Sequence, residues 1–366
     1  MNSFLFTLTN FRTERNEPFY TFFHPENRFA LNLMRKNKIN NKTFTLIGYF
    51  AGSIILLPYI FVMLPIKGRG KNILVLFPGI FELIILNFLK PIFDFNIYYD
   101  TFTSFYLSLV EDRKLFNRNS FAAKLLLKID KLCIHLSDYQ IFETYEMKDY
   151  FIKEIKTSPK DYLILKSSRK NIDISNIKNE KTPYNNITFW GSFEDMHGLV
   201  YVVGAAEILQ DRKDIRFNLI GDGPLKEEIK ELVAVKNLNN VAFFDYLDKN
   251  PIKENNLYKK IIEADICLGT FSDNIKNNLV IPGKIVEAMQ IGKVVITANT
   301  TYMKKYCSNE SILINPENSE ILAETIIDVL EKEDITKDIG KKANEYYHKE
   351  HSPRIFNEKL SEYLTN

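Results

Sequence analysis

The sequence has no large excess of charge and few cysteines. Its 366 residues include 48 Lys and Arg against 46 Asp and Glu, a net charge of +2. A nucleic-acid-binding protein is expected to have a strongly basic face, and the overall balance does not indicate one. Cys133, Cys267 and Cys307 are isolated and odd in number, which excludes a complete disulfide framework and a zinc-ligand spacing. We expect three buried, reduced thiols in a cytoplasmic protein.

A secretory signal is also lacking, because residues 1–20 carry four charged side chains instead of a long apolar run. Residues 43–66 are the stretch closest to a membrane span, with no charged side chain between Lys42 and Lys67. About 20 apolar residues can cross a bilayer, but two glycines and two prolines interrupt this stretch. Three interpretations stay open: a span, a strand followed by a core helix, and a helix partly inserted in the membrane interface. The last predicts peripheral contact with the inner face of the cell membrane.

Strand-like apolar runs alternate with helical patterns in both halves of the chain. Residues 73–77 are continuously apolar, as in strands of a parallel sheet that is covered on both faces. The alternation predicts an α/β protein with two Rossmann-like, doubly wound domains. Helices are expected between the strands, one of them over residues 24–36. The predicted divisions are an N-terminal domain (1–166), a polar linker (167–186), a C-terminal domain (187–350) and a C-terminal helix (351–366) that returns to the first domain.

Two glycine-containing loops of the second half are candidates for binding a phosphate group. Gly221 and Gly223 lie between an apolar strand and a helix, in the segment Ile-Gly-Asp-Gly-Pro. Backbone amides that approach closely and a helix N-terminus both favour negative charge. A simple turn from strand to helix explains the same pattern.

The second loop contains Gly191 and Ser192 after a strand, then His197 and Gly198 before a helix. The loop would place exposed backbone amides next to a helix N-terminus, an arrangement that suits a phosphate. A lone histidine in this position is by default a capping or surface residue.

The third candidate is the segment Pro-Gly-Lys-Ile-Val-Glu-Ala-Met, which begins at Pro282 and opens a helix. Lys284 lies in the first turn, and Glu287 follows three residues later on the same face. This cation can bind a diphosphate and this carboxylate can bind ribose hydroxyls, both through charge-assisted hydrogen bonds. By spacing alone, an exposed ion pair on a helix is the better explanation of these two residues.

In combination, and in this order, these segments resemble the donor domain of glycosyltransferase family 4 over about residues 187–350. The resemblance implies a GT-B fold, a nucleotide-diphosphate sugar as donor, transfer with retention of anomeric configuration, no cofactor and no obligatory metal. It implies that Glu287 holds the donor ribose. It also implies that the 191–198 loop and the helix start at 282–287 cradle the diphosphate, and that the base rests near the strand end at 244–247.

The N-terminal half resembles the acceptor domain of one bacterial and archaeal branch of the family, and it is more diverged. Asp100 ends a predicted strand at the edge where ligands collect, so it is the candidate to orient an acceptor hydroxyl. Many relatives have basic residues where this chain has Ser192 and His197. The diphosphate charge would then be met by Lys284, Lys276 and backbone amides.

The sequence therefore predicts a hexosyltransferase-type glycosyltransferase of surface polysaccharide or glycolipid synthesis, with a glycan or lipid-linked acceptor. The alternative is a catalytically inactive GT-B partner subunit that binds donor without turning it over. A nicotinamide-dependent oxidoreductase is disfavoured, since the first strand is not followed by Gly-x-Gly-x-x-Gly.

Overall fold

Parallel strands organise both halves of the chain. The computed structural model describes residues 3–7, 15–23, 28–30, 71–174, 177, 182–253 and 256–365. The chain divides into a first unit, formed by residues 1–168 and 353–366, and a second unit, formed by residues 169–352. The apolar segment 43–66, with its three interpretations, lies outside the described residues.

The first unit contains a parallel sheet. Its strands are β1 (Ser3–Thr7), β2 (Arg28–Ala30), β3 (Asn72–Leu76), β4 (Asn96–Thr101), β5 (Tyr139–Phe142) and β6 (Tyr162–Ile164). They lie in the order β2-β1-β3-β4-β5-β6. Among the residues that the structure describes, its α-helices are α1 (Glu17–Phe22), α2 (Ile80–Leu89), α3 (Phe121–Leu136), α4 (Tyr145–Tyr150) and, at the chain's end, α12 (Pro353–Thr365).

Alternate residues of β3 pack against two different helix layers, as the two-residue period of a strand requires. Ile73 and Val75 contact the layer formed by α2 and α3. Leu74 and Leu76 contact the layer formed by α1 and α12, where Phe356 and other side chains of α12 are buried. The continuous apolar run therefore fills two cores at once, as predicted for a strand covered on both faces.

The predicted helix over residues 24–36 is wrong where it can be examined. Arg28–Ala30 form strand β2, which pairs in parallel with β1 in the register Leu5 to Arg28. The local pattern allows a helix, but pairing with an adjacent strand satisfies these backbone groups and overrides local preference.

The second unit repeats the plan. Its strands are β7 (Asn185–Ser192), β8 (Ile215–Asp222), β9 (Val241–Phe244), β10 (Ile266–Leu268), β11 (Val295–Ala298) and β12 (Ile312–Ile314). Its helices are α5 (Leu199–Ile208), α6 (Lys226–Val235), α7 (Leu257–Glu263), α8 (Gly283–Ile291), α9 (Thr301–Tyr306), α10 (Ser319–Glu331) and α11 (Glu333–Glu350). One apolar core packs α5, α6 and α10 against the sheet, and a second packs α7, α8, α9 and α11. The predicted doubly wound architecture is confirmed.

The strand order of the second unit determines where a ligand can bind. The parallel strands lie in the order β12-β11-β10-β7-β8-β9, so the chain reverses its direction of progress across the sheet between β7 and β10. Ligands of open α/β sheets bind beyond the carboxyl ends of the strands at such a switch point. Here those ends lead into the loop that starts at Ser192 and into the segment that begins at Gly269.

Candidate functional site

Lys284 and Glu287 lie within one turn at the start of α8 and are both buried. Lys284 is 8% exposed and Glu287 is 3% exposed. Pro282 caps the helix in an extended conformation, and its carbonyl accepts from the Ile285 amide at 2.9 Å. An exposed surface ion pair, the alternative that spacing allowed, is therefore excluded.

The Lys284 ammonium lies against the loop after β7. Its Nζ is 3.7 Å from the centroid of the Phe189 ring, a cation–π contact. A Cβ at Gly191 would lie 3.2 Å from this Nζ. Gly191, at φ +138°, therefore leaves room for the ammonium group beside the backbone. The structure brings together these two residues, which the sequence predicted for one site.

His197 is buried beside the same lysine and is held as a neutral imidazole. Burial lowers the pKa of His197 well below its ordinary value, and the nearby positive charge of Lys284 lowers this pKa further. Its Nδ1 hydrogen-bonds the backbone carbonyl of Ser192. Because a carbonyl only accepts, Nδ1 carries the proton and Nε2 is left as the acceptor nitrogen. His197 adds no cation to the site at neutral pH.

Gly198 joins this loop to the start of α5. It has φ +63°, and a Cβ there would lie 2.7 Å from the Ser272 backbone nitrogen. The carbonyl of His197 also accepts from the Phe271 amide at 3.1 Å. The start of α5 is thereby fixed against the segment that follows β10, on the other side of the switch point.

Gly221 and Gly223 have a different role from the one expected for a phosphate-binding loop. A Cβ at Gly221 would lie 2.0 Å from the Gly191 carbonyl oxygen, and one at Gly223 would lie 2.5 Å from the Phe193 nitrogen. The Gly223 amide donates to the Asp222 side chain at 2.9 Å. These glycines allow the chain at the end of β8 to pack backbone to backbone against residues 191–198, which we call the Gly191 loop. Their geometry therefore favours a role in supporting the Gly191 loop.

Glu287 accepts hydrogen bonds from two residues that the sequence had not marked as site residues. Its Oε2 accepts from Trp190 Nε1 at 2.8 Å, and its Oε1 accepts from Lys249 Nζ at 2.5 Å. Arg169 Nε lies 3.9 Å from Oε1. An ionised carboxylate has about four acceptor positions, so Glu287 retains capacity for further donors.

The partners of Glu287 could not be predicted from the sequence, because strand order and a distant backbone contact bring them to it. Trp190 belongs to β7, whereas Lys249 follows β9, two strands away in the sheet. Arg169 lies in the segment 167–186 that was predicted as a linker, yet its amide bonds the His351 carbonyl at 3.2 Å within the second unit. Local sequence carries no signal for either approach.

The remaining predicted donor-side residues lie close to this group. Lys276 is half-buried on a short 3-10 turn, Ile275–Asn278, and its charge contributes to the low pKa of His197. The Ser192 side chain is exposed at the end of β7. Asn277 holds this turn in place by donating to the Met196 carbonyl at 2.8 Å.

Asp100 of the first unit is fully buried in an ion pair. Arg15 donates to its Oδ1 at 2.6 Å and to its Oδ2 at 3.4 Å. Arg15 also donates to the Leu165 carbonyl at 2.8 Å. Because both oxygens of Asp100 face Arg15, the geometry favours a structural role. The orienting of an acceptor hydroxyl stays a prediction that requires this pair to open.

Neither a group of three or more potential metal ligands nor a helix able to cross a membrane occurs in the part of the chain that the structure describes. The three cysteines are buried and form no disulfide.

Comparison with known families supports a function for this arrangement. Residues 170–346 match the model of the family described as Glycosyl transferases group 1. The matched segment lies within the second unit. The match contains every donor-side residue predicted from the sequence, whereas Arg169 lies just outside it, and the chain is a transferase of the glycosyltransferase class.

The whole chain resembles solved structures that have a GT-B fold. The chain resembles Anabaena Alr3699/HepE, solved in complex with UDP, with 14% identity over 100% of both chains and a TM-score of 0.74. It resembles sucrose-phosphate synthase from Thermosynechococcus elongatus with 15% identity over 93% of this chain and 83% of that one, at a TM-score of 0.69. It also resembles a glycosyltransferase from Rickettsia africae, with 14% identity over 92% of this chain and 84% of that one, at a TM-score of 0.62. At these identities the likeness shows the fold, and the predicted GT-B class is confirmed. No curated protein sequence matches the chain.

Proposed function

We propose that this chain is a retaining glycosyltransferase of family 4 that moves a sugar from a nucleotide-diphosphate sugar to a glycan or lipid-linked acceptor of surface polysaccharide or glycolipid synthesis. The observation that carries the proposal is the buried pair at the start of α8, with Lys284 beside the Gly191 loop and Glu287 three residues later. A cation and a carboxylate one turn apart at a helix N-terminus suit the two polar parts of a nucleoside diphosphate.

The diphosphate would bind between the Gly191 loop and the N-terminus of α8. Lys284 supplies the positive charge there, because His197 is neutral. The positive end of the α8 dipole adds attraction for an anion. As the bond from sugar to phosphate breaks, negative charge grows on the leaving diphosphate. Groups already aimed at it stabilise that charge most.

The ribose would bind to Glu287. Trp190 and Lys249 hold this carboxylate in place through both of its oxygens, so its orientation is fixed before the ligand arrives. Its remaining lone pairs can accept from two ribose hydroxyls. The loop that carries Lys249 begins at the strand end 244–247, which supports this strand end as the place for the base.

Retention, the absence of a cofactor and the absence of an obligatory metal belong to the same proposal and rest on the family resemblance. UDP is the first nucleotide to test, because Alr3699/HepE was solved with UDP and with UDP-glucose. A screen of nucleotide-sugar donors would then identify the sugar that is transferred.

Lys284→Met tests the proposal, since it removes the charge and keeps much of the side-chain length. A hydrogen bond to a charged group contributes about 1.5–3 kcal/mol, so we expect UDP affinity by calorimetry to fall roughly 10- to 150-fold. Turnover of UDP-sugar should fall at least as much. Lys230→Met is the matched control, because Lys230 is a half-exposed lysine of the same unit that pairs with Glu227. Affinity within twofold of wild type for Lys284→Met would contradict the proposal.

A partner subunit that binds donor without turnover is the second candidate, and one observation favours it. The loop after β7 offers a neutral His197 and an uncharged Ser192, so it adds no cation of its own to the diphosphate site. Calorimetric binding of UDP-sugar together with the lack of UDP release across a panel of glycan and lipid-linked acceptors would select this candidate. Release of UDP with any acceptor would exclude it.

A further inference from the structure

Large apolar side chains are concentrated on one outer surface of the first unit. Helices α2 and α3 lie side by side on one face of the sheet, where they share a core and the Asn87 side chain donates to the Leu136 carbonyl. We call the exposed apolar residues of α3 and of the segment before it the apolar group. They are Leu115, Phe116, Phe121, Leu125 and Leu132, and Phe121 is 82% exposed. On the outer side of α2 and just after it, Phe88 and Ile92 are also exposed, at 68% and 67%.

The exposed face of α3 is divided lengthwise into an apolar strip and a basic strip. At about 100° per residue, Phe121, Leu125 and Leu132 project within roughly 40° of one another. Lys124, Lys128 and Lys131 project within roughly 60° on the adjoining side. The opposite face of the helix is buried and includes Ala123, Cys133 and Ile134.

The charge around the apolar group is mostly positive, and one ion pair, Arg118–Glu111, lies at the start of this segment. Arg113, Lys114, Lys124, Lys128 and Lys131 are exposed, and we call them the basic group. Between residues 113 and 135 the single acidic residue is Asp130, which is 2% exposed. Its carboxylate faces inward, where it accepts from Ser104 Oγ at 2.6 Å and from the Phe105 amide at 2.8 Å. The outer surface of this segment is therefore cationic, although the whole chain is nearly neutral.

We propose that the apolar group and the basic group together form a docking surface for an anionic lipid bilayer. Apolar side chains would enter the boundary between headgroups and acyl chains, and the adjoining lysines would lie at the level of the anionic headgroups. Long lysine stems allow the ammonium groups to stay hydrated while the helix lies in the interface.

Two features favour lipid over other occupants. Lysine is depleted in protein–protein interfaces, whereas three of the five basic residues here are lysines of one helix face that adjoins the apolar strip. Nucleic acid would use the basic group, but it would leave an 82% exposed phenylalanine without a role. The inference is independent of donor binding in the second unit, so either proposal can fail alone.

Vesicle binding of the full chain without donor tests the proposal. We expect binding to vesicles of phosphatidylcholine mixed with phosphatidylglycerol and weak binding to phosphatidylcholine alone. Each lysine near an anionic surface contributes about a fivefold gain, so the combined variant Lys124→Gln, Lys128→Gln and Lys131→Gln should bind about 100-fold more weakly. The matched control changes three exposed lysines of the second unit in the same way, and it should stay within twofold. They are Lys213, Lys341 and Lys349.

Depth of insertion provides a second measurement. Because the native cysteines are buried, an added surface cysteine can be labelled selectively with an environment-sensitive dye. A label on Phe121→Cys should shift its emission to the blue when anionic vesicles are added. A label on Val235→Cys, at an exposed position of the second unit, should not.

Three results would overturn the proposal. The first is wild-type chain that stays off anionic vesicles. The second is equal binding by the triple-glutamine variant, which would place any membrane contact elsewhere, for example in residues 43–66. The third is a dimer in sedimentation experiments that Phe121→Ser dissociates while vesicles have no effect, which would assign this surface to contact between copies of the chain.

Discussion

His197 and Lys284 are two buried basic residues in contact with one loop, and burial gives them different roles. The imidazole loses its charge, because burial and the lysine both lower its pKa. It then serves as a neutral donor to the Ser192 carbonyl and fixes the shape of the loop. Lys284 contacts the face of an aromatic ring, which a cation favours. One residue therefore shapes the site, and the other supplies its charge.

The low pKa of His197 predicts how stability depends on pH. In the unfolded chain the imidazole takes up a proton as the pH falls below about 6.5, whereas in the folded chain it stays neutral. The unfolded state then binds more protons, so this residue's contribution is complete above that pH and is lost as the pH falls. We expect the free energy of unfolding of wild type, relative to His197→Asn, to fall by up to about 1.4 kcal/mol per pH unit below about 6.5. Urea unfolding of both proteins between about pH 7.5 and pH 5.5 measures it, and a difference that does not change with pH would contradict it.

At the scale of elements, the ends of β7 and β8 form one support for the site. The two strands run in register from Asn185–Ile215 to Ser192–Asp222, and the loops that follow stay in backbone contact. Phe193 donates its amide to the Asp222 carbonyl at 3.0 Å and accepts from the Leu225 amide at 3.0 Å. Lys226, at the start of α6, donates to the Gly221 carbonyl at 2.8 Å. Contacts with the segment that contains Gly221 therefore position the Gly191 loop.

Gly221→Ala should destabilise this support strongly. The new Cβ would lie 2.0 Å from the Gly191 oxygen, at φ +130°, which L-residues rarely adopt. Overpacking and backbone strain each cost about 1–3 kcal/mol, so we expect a loss of roughly 2–6 kcal/mol in the free energy of unfolding of the second unit. Urea denaturation followed by the fluorescence of Trp190, which lies in β7, measures it.

Gly292→Ala is the matched control. This glycine ends α8 at φ +75°, but the nearest atom to an added Cβ is 3.4 Å away, an ordinary contact. We expect only the conformational cost of about 1–2 kcal/mol. Equal losses for the two variants would mean that close backbone packing is not what requires glycine at position 221.

At the scale of the molecule, the chain returns to its first unit after completing the second. Helix α12 buries Phe356, Leu360 and Leu364 in the core beneath β1 and β3, and Asn72 donates to the Leu364 carbonyl at 2.7 Å. The last residues of the sequence therefore complete a core that its first residues begin.

A chain that ends at Ser352 should lose the first unit selectively. Full burial of three such side chains contributes roughly 5–9 kcal/mol, comparable with the whole stability of about 5–15 kcal/mol of a typical domain. Hydrogen exchange should become fast in the peptides of β1, β3 and β4 and stay slow in β7 and β8. The full-length double variant Arg354→Ala and Glu358→Ala, which removes an exposed ion pair of α12, should resemble wild type. Fast exchange throughout the truncated chain would contradict independent stability of the second unit.

Much of the fold could be predicted from local pattern. The alternation of apolar runs and helical patterns predicted two doubly wound α/β units, because the apolar pattern of each element depends on residues a few positions apart. The helix over 24–36 was wrong at β2, where a partner strand decided the outcome. The site was predicted in part: Gly191, His197, Lys284 and Glu287 come together, and Gly221 supports them.

What the sequence determined by itself is the order of elements, the two-unit α/β plan and the segment that begins α8, since these depend on short-range periodicity and on residues a few positions apart. Three other properties depend on the folded structure: the neutral state of His197, the pairing of Arg15 with Asp100, and the position of Trp190, Lys249 and Arg169 around Glu287. The physical reason is that charge state and hydrogen-bond partners depend on burial and on distances across the sheet. Strand order sets those distances, and no local pattern of residues encodes it.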